Sequence, residues 1–281
     1  MRLPAVAGSF YPAQKQLLER TLSSFERECG GKELEKIAGQ KLFGVVAPHA
    51  GYEYSGLTAM HAYKAISQSP FAESTGQKTF AIISPNHTGM GEACSLSIDD
   101  WQTPLGEVKS DTKFCHELLS ASGCLKPSEE AHANEHSIEV QLPFVQKFFP
   151  GAEIAGITIL QGENALEVAE DLAGALVASE KKLEQRVMVV ASSDFTHYEP
   201  ANVARQKDQE AVHAICKLDA KKFRDLVFEK RLSICGFGAI LSAMLYSKKK
   251  GAKEGVVLHF SNSGKANPKG DVVDYASIAF V

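Results

Sequence analysis

Three stretches of this chain, KLFGVVAPH (41–49), TFAIISPNH (79–87) and RVMVVASSD (186–194), are almost continuously apolar until each ends on a histidine or an aspartate. Strands with one wet face alternate apolar and polar residues, whereas unbroken apolar runs mark strands covered on both faces, the usual state of a parallel sheet between crossover helices. Helical patterns separate the runs as that arrangement requires. Gln14 to Cys29 carries Leu17, Leu18, Leu22 and Phe25 at helical spacing, and Gly30-Gly31 stops it. The stretch LTAMHAYKAIS, entered through a loop AGYEYSG, the segment from Ala165 to Leu183, and PANVARQKDQEAVHAIC also read as helices. Between them, ACSLSIDDW and AEIAGITIL are expected as strands, DTKFCHELLSA as a helix, and SIEVQLPFVQKFF as mostly helical despite Pro143. GAILSAMLYSKKKG is expected as a helix whose lysines suit its C-terminal end, with GVVLHFS and DYASIAFV as closing strands. The expected fold is α/β: a single domain, residues 1–281, with a largely parallel central sheet flanked by helices on both faces.

Composition narrows the function classes. Hydrophobic residues at 44% and charged residues at 23% fit an ordinary globular chain, and a formal net charge of -4 argues against a general binder of phosphate backbones, so nucleic acid is not an expected partner. The N-terminus lacks the apolar core of a signal peptide, and ICGFGAILSAMLY is too short and interrupted to span a bilayer. A cytoplasmic protein without a membrane partner is expected. Cys29, Cys94, Cys115, Cys124, Cys216 and Cys235 show no CxxC spacing and read as buried small residues.

The polar residues that end the apolar runs gather the chemistry. His49, His87, and the pair Asp194 and His197 in SSDFTHYE all fall at strand ends. In open α/β sheets neighbouring parallel strands deliver their carboxyl ends to one edge, where ligands bind. Pro48 and Pro85 end strand pairing and help turn the following side chains out of the sheet. One histidine at a strand end is more often a loop or capping residue, but three strands sharing the pattern favour a metal site or an acid/base site. Spacing alone leaves both open. His61, His116 and His213 lie in helical patterns and are expected as surface or partly buried residues, and His259 lies in a strand on either face.

A second constellation competes. His132, Glu135 and His136 spell H-x-x-E-H, which on a helix would set two imidazoles one turn apart, as in inverted zinc peptidases. The surrounding EEAHANEHSIEV resembles a helix entry more than its middle, which weakens that geometry. Cys235 begins CGFGAILSAML at an expected helix start, where unpaired amides would lower a thiol's pKa, although composition alone makes it a core residue. No P-loop, G-x-S-x-G elbow or G-x-G-x-x-G fingerprint is present.

The segments LPAVAGSFYPA, APHAGYEYSG, SPNHTG, NEHSIEVQLPF, SSDFTHYE, ICGFGA and GDVVDYASIAF together resemble the Memo family, called in prokaryotes the AmmeMemoRadiSam system protein B. They run in order over essentially the whole chain. The resemblance implies a fold similar to the type III extradiol ring-cleaving dioxygenases, whose non-haem iron is held by two histidines and a carboxylate. It further implies His49 and His87 as imidazole ligands of a metal and Cys235 as the third ligand, with Asp194 and His197 lining the same pocket and His197 where the dioxygenases keep an acid/base histidine. A thiolate in place of the carboxylate softens such a site toward copper(I), zinc or thiolate-tolerant iron. Vertebrate members are known as adaptors for phosphorylated receptor tails, but this chain lacks the Arg cluster used in phosphotyrosine recognition.

Two functional classes follow. The first is a metal-binding protein with a dioxygenase-like pocket, a redox enzyme using iron or copper, with zinc as a further metal. The second is a non-catalytic module whose pocket takes a peptide or a small molecule.

Overall fold

The apolar runs become strands of one sheet in the structure, a computed structural model that describes residues 1–264 and 270–281 in full and the backbone of Lys265. The chain begins with α1 (Lys15–Glu28), α2 (Lys32–Ile37), β1 (Gly44–Ala47), α3 (Tyr52–Ser67), α4 (Pro70–Glu73), β2 (Thr79–Pro85), β3 (Cys94–Ser97), β4 (Trp101–Thr103) and β5 (Gly106–Val108). It continues through α5 (Thr112–Ala121), β6 (Lys126–Pro127), α6 (Leu142–Phe148), β7 (Glu153–Ile159), α7 (Ala165–Leu183), β8 (Val187–Ser192) and β9 (His197–Glu199). It closes with α8 (Ala201–Cys216), α9 (Ala220–Glu229), α10 (Phe237–Lys250), β10 (Gly255–Asn262) and β11 (Val272–Phe280).

The sheet order is β10, β11, β1, β8, β2, β7, β3, β6, with β9 pairing to β11. Its centre, β1, β8, β2 and β7, is parallel, while β11 and β3 close it with antiparallel pairings. Every residue of β1, β2 and β8 is buried, which is why their sequences do not alternate. The pleat still divides them between two cores. Val46, Ile83, Val189 and Ala191 face the layer of α7, α8 and α10, while Val45, Ala47, Ile82 and Val190 face α3 and α6. The expected α/β architecture with helices on both faces is therefore the observed one. Among the described residues no helix is long and apolar enough to cross a membrane.

Several local expectations change. AGYEYSG is not a loop: α3 starts at Tyr52, because Tyr52 is buried against Phe144 and Gly56 lets the Phe25 ring press so close that a Cβ there would lie 2.5 Å from it. Packing overrides the weak helix preference of these residues. α9 had no forecast at all, although Asp219 caps it by accepting the Lys222 N–H at 3.0 Å. ACSLSIDDW divides into β3 and β4, the latter in a separate hairpin with β5. His61 is buried rather than superficial, its ring nitrogens facing the carbonyls of Leu57 and Gly30.

Two buried polar clusters position the segments that bear the strand-end residues. The first straps down the N-terminus. Arg2 Nη1 lies 2.6 Å from Glu139 Oε2, and the rest of its guanidinium donates to the carbonyls of His132 and Glu135 while stacking over Trp101. Glu139 also accepts from the Ala5 and Val6 amides and the Tyr11 hydroxyl. The second cluster lies behind SSDFTHYE. Asp208 of α8 accepts the Thr196 N–H at 3.0 Å and its hydroxyl at 2.7 Å, and the backbones of Thr196 and Asp274 exchange a bond at 2.9 Å. Burial pushes the carboxyls of Asp208 and Asp274 up, to about 6 and about 7, and the repulsion of two adjacent carboxylates adds to the rise at Asp274.

Replacing Arg2 by Met should cost about 3 kcal/mol in urea denaturation, because Glu139 would remain a buried carboxylate without its cation; a loss within error of zero would show that the pair contributes no net stability. For the carboxyl pair, folded pKa values raised above the ordinary value near 4 mean that the native state holds protons the unfolded chain has released, so their contribution to stability is present at low pH and is lost as pH rises from about 4 to about 7. Asp274→Asn carries no such proton. Its Tm relative to the unmodified protein should therefore be more favourable at pH 8 than at pH 5, and a difference independent of pH would refute the shared burial of the two carboxyls.

Candidate metal centre

The parallel register decides which side chains meet. Ala47 pairs with Ser192 across β1 and β8, and Ile83 pairs with Ala191 across β2 and β8, so the three strands end nearly level. The residues just past those ends are His49, His87 and Asp194. Cys235 arrives from the turn before α10. His49, His87 and Cys235 each offer one donor atom within 4.8 Å of the others. The His49 and His87 rings meet edge to face with centroids 5.2 Å apart, and Cys235 Sγ lies 3.2 Å from His49 Nε2.

Hydrogen bonding fixes the tautomers of both imidazoles. His49 Nδ1 lies 2.9 Å from Ser192 Oγ, whose single proton goes to the Ser137 carbonyl at 2.7 Å while it accepts from Gln141 Nε2 at 3.0 Å. Ser192 therefore has no proton left to give, so His49 Nδ1 carries the hydrogen and Nε2 presents a lone pair toward Cys235. Burial keeps that imidazole neutral by pulling its pKa well below the usual value, and the neighbouring His136 and His87 add to the effect.

At His87 the partner is Glu135. Its Oε1 takes the Nδ1 hydrogen at 3.0 Å and its Oε2 takes the His87 backbone N–H at 2.5 Å, while Ser137 donates twice more to Oε1. Burial disfavours a charge on Glu135, yet the bonds from His87 and Ser137 outweigh it and hold the carboxyl below its ordinary range. A carboxylate on Nδ1 leaves Nε2 of His87 as a free donor, the arrangement metal-binding histidines commonly show.

Cys235 differs from its forecast. The helix begins at Phe237, after the N-cap Gly236, so the thiol sits before the first turn rather than on it. Burial raises its pKa well above the ordinary thiol value, and the nearby Asp194 charge raises it further. The N–H of Asp194 nevertheless points at the sulfur from 3.3 Å, as it would toward a thiolate. Gly236 is required here: a Cβ would fall 2.4 Å from the Ser192 carbonyl oxygen, so only glycine allows the α10 entry to lie against the end of β8. Asp194, buried and raised to about 6 by desolvation, accepts the His49 backbone N–H at 2.8 Å. A partly buried thiol facing two imidazole nitrogens whose other ring nitrogens are already occupied is a donor set that fits a soft or borderline metal ion.

His197 stands at the rim on β9, its Nδ1 bonded to the Ser233 carbonyl at 2.8 Å and its N–H to the Ser233 hydroxyl. Because a carbonyl only accepts, Nδ1 carries the hydrogen and Nε2 is free. The H-x-x-E-H stretch separates. Residues 132–134 lie in a turn and 135–136 have no regular structure, so the stretch is not a helix, and Arg2 holds the carbonyls of His132 and Glu135. His132 is buried edge-on to Trp101, with burial lowering its pKa to about 4, whereas His136 stacks on His87 at 4.8 Å and faces His49. The two imidazoles therefore do not form the peptidase pair. Glu135 and His136 instead join His87 in a second, overlapping donor group. Ser192, Ser137, Gln141 and Gly236 had no forecast, and nothing in their local pattern marks them, because each acts through a partner distant in sequence.

Comparison with known proteins agrees with this arrangement. The model of the Memo-like protein family matches residues 2–279. A MEMO1 family protein of Methanopyrus kandleri is 39% identical over 286 residues, covering 99% of this chain and 98% of its own length. Another from Archaeoglobus fulgidus is 39% identical, covering 100% of this chain and 99% of its own, and one from Methanosarcina barkeri is 40% identical over 99% of both. With nearly its full length matched and its strand-end motifs converging on one cluster of side chains, the chain belongs to the Memo family.

Proposed function

We propose that this protein binds iron or copper through His49 Nε2, His87 Nε2 and Cys235 Sγ, and acts as a redox enzyme on a small organic substrate. The observation that carries the reading is the pair of fixed tautomers: Ser192 and Glu135 each occupy an Nδ1, which leaves both Nε2 atoms free as donors beside a cysteine sulfur. Zinc would also accept these donors, but a thiolate with two imidazoles and an open face suits a metal that changes oxidation state. A metal bound there supplies Lewis acidity and one-electron chemistry.

The remaining roles belong to the chain. Glu135 fixes the His87 ring, and Ser192 fixes that of His49. Asp194 holds the His49 backbone and turns its own N–H to the sulfur. His197, tethered through Nδ1 to Ser233, offers Nε2 to accept a proton from a substrate hydroxyl or thiol and later return it. His136 walls the pocket against the His87 ring, backed by Phe10.

Protein purified anaerobically should contain close to one iron or copper ion per chain by elemental analysis, and His49→Ala and Cys235→Ser should each lose most of it. Full metal content in both variants would overturn the assignment. Glu135→Gln should weaken metal binding by about 10–100-fold without unfolding the protein. Because burial holds the Cys235 thiol protonated, binding must release its proton, so affinity should rise by up to about tenfold for each unit of increasing pH; an affinity flat from pH 6 to pH 8 contradicts a thiolate ligand. Oxygen uptake by the metal-loaded protein with phenolic or thiol substrates tests turnover, and His197→Ala should abolish it while keeping the metal.

A further inference from the structure

A second sulfur site lies away from the metal centre, on the far flank of the sheet. Cys94 opens β3, and Cys124 lies in the turn leading into β6, the strand that pairs in parallel with β3. Because Ser95 pairs with Lys126 and Leu96 with Pro127, Cys94 and Cys124 lie side by side at the entry to these two strands, and each thiol acts on the ionisation of the other. Cys94 is 2% exposed, whereas Cys124 is only partly buried. Around Cys124, one carboxylate organises the turn. Asp171 of α7 accepts the Gly123 N–H at 3.0 Å, the Cys124 N–H at 3.3 Å, the Ser122 hydroxyl and the Cys124 thiol itself, at 3.1 Å. Four donors on one carboxylate fix the turn that carries the accessible thiol. Packing alone does not call for this: a cysteine that merely fills space needs neither a second thiol nor a carboxylate directed at its sulfur.

We infer that Cys94 and Cys124 are a peroxide-sensitive dithiol, in which the accessible Cys124 is oxidised first and the buried Cys94 resolves it to a disulfide. The Cys124 thiol passes its proton toward Asp171 and solvent, and the sulfur attacks one oxygen of a peroxide. The O–O bond breaks, Cys124 becomes a sulfenic acid, and the other oxygen leaves as water or as an alcohol after taking up a proton. The Cys94 sulfur then attacks Cys124, the S–O bond breaks, and the hydroxyl leaves as a second water with the proton of Cys94. Two thiols are oxidised by two electrons, and the peroxide is reduced by the same two. The neighbouring Cys94 thiol, with the Ser122 hydroxyl, lowers the Cys124 pKa by more than burial and the Asp171 carboxylate raise it, which favours the reactive form of Cys124, while Cys94 remains a thiol until the second step. The location gives the oxidation a structural consequence. Cys94 ends the loop that begins at Asn86 and His87, and the backbone bonds of Asn86 and Ala93 to Ile159 and Leu160 clamp that loop to the end of β7. A covalent link between β3 and the turn before β6 would therefore stiffen the base of the loop that presents His87.

The test is non-reducing peptide mapping of the full-length protein after exposure to a few equivalents of hydrogen peroxide, with fragmentation to separate Cys124 from Cys115 on the same peptide. The expected product is a Cys94–Cys124 link, about 2 Da lighter than the two thiols and reversed by dithiothreitol. In Cys94→Ser the link should disappear and Cys124 should be trapped as a dimedone adduct, while Cys124→Ser should leave Cys94 as a free thiol. Should Cys94 and Cys124 both stay reduced while other cysteines oxidise, or link to cysteines other than each other, the inference is overturned. The wild-type map alone decides this even if a variant fails to fold, and its outcome does not depend on whether His49, His87 and Cys235 hold a metal.

Discussion

The candidate centre depends on the in-register parallel pairing of β1, β8 and β2. Parallel neighbours share one direction, so residues that follow them are delivered to one edge of the sheet. With Ala47 level with Ser192 and Ile83 level with Ala191, segments as far as 145 residues apart in the chain bring His49, His87 and Asp194 to one place at the sheet edge. A shift of one residue in this register would turn each strand's side chains to the opposite face and exchange the residues of the two cores. Burial on both faces opposes such a slip, so the apolar packing that stabilises the sheet also maintains the geometry of the site.

Closeness would not by itself make donors of the imidazoles. A histidine that donates through Nε2 is useless to a cation, and the structure prevents this by occupying each Nδ1. For His49 the chain is Gln141 to Ser192 to the Ser137 carbonyl, a route with one hydroxyl proton and one possible direction. For His87 it is the Glu135 carboxylate, kept ionised by four donated hydrogen bonds in a place where burial alone would neutralise it. Ser137 serves both, accepting at its carbonyl from Ser192 and donating twice to Glu135. The two rings are thus coupled through one residue, and their orientation is set by the protein before any ligand arrives.

The supports of this network lie further out. Arg2 grips the carbonyls of His132 and Glu135, fixing the turn from which the Glu135 side chain reaches His87. Glu139 neutralises Arg2 and also collects the amides and the tyrosine of the first residues, so the N-terminal segment is part of the wall rather than a loose end. On the opposite side Asp208 and Asp274 hold the segment that bears Asp194 and His197. Their raised pKa values place a proton-dependent element directly behind the pocket.

How far the sequence carried can be judged from particular residues. The unbroken apolar runs, and hence the buried parallel strands, were legible because burial on both faces leaves a direct compositional trace. The strand-end positions of His49, His87, Asp194 and His197 followed from the same runs. Cys235 was different: its own surroundings suggested a core residue, and only the family resemblance linked it to the pocket. The H-x-x-E-H stretch misled for a related reason, since its spacing has meaning only on a helix, and Arg2, more than a hundred residues away, holds its carbonyls in a non-helical path. AGYEYSG likewise looked like a loop until Tyr52 and Gly56 met Phe144 and Phe25. What the sequence determined by itself was the set of elements whose patterns are local, and the edge at which their polar ends emerge. Tertiary structure alone decided which nitrogen of each imidazole is free, that Gly236 admits Cys235 beside β8, and that His132 and His136 part company, because each of these depends on the direction of a hydrogen bond or the closeness of a contact between segments that are neighbours only in space.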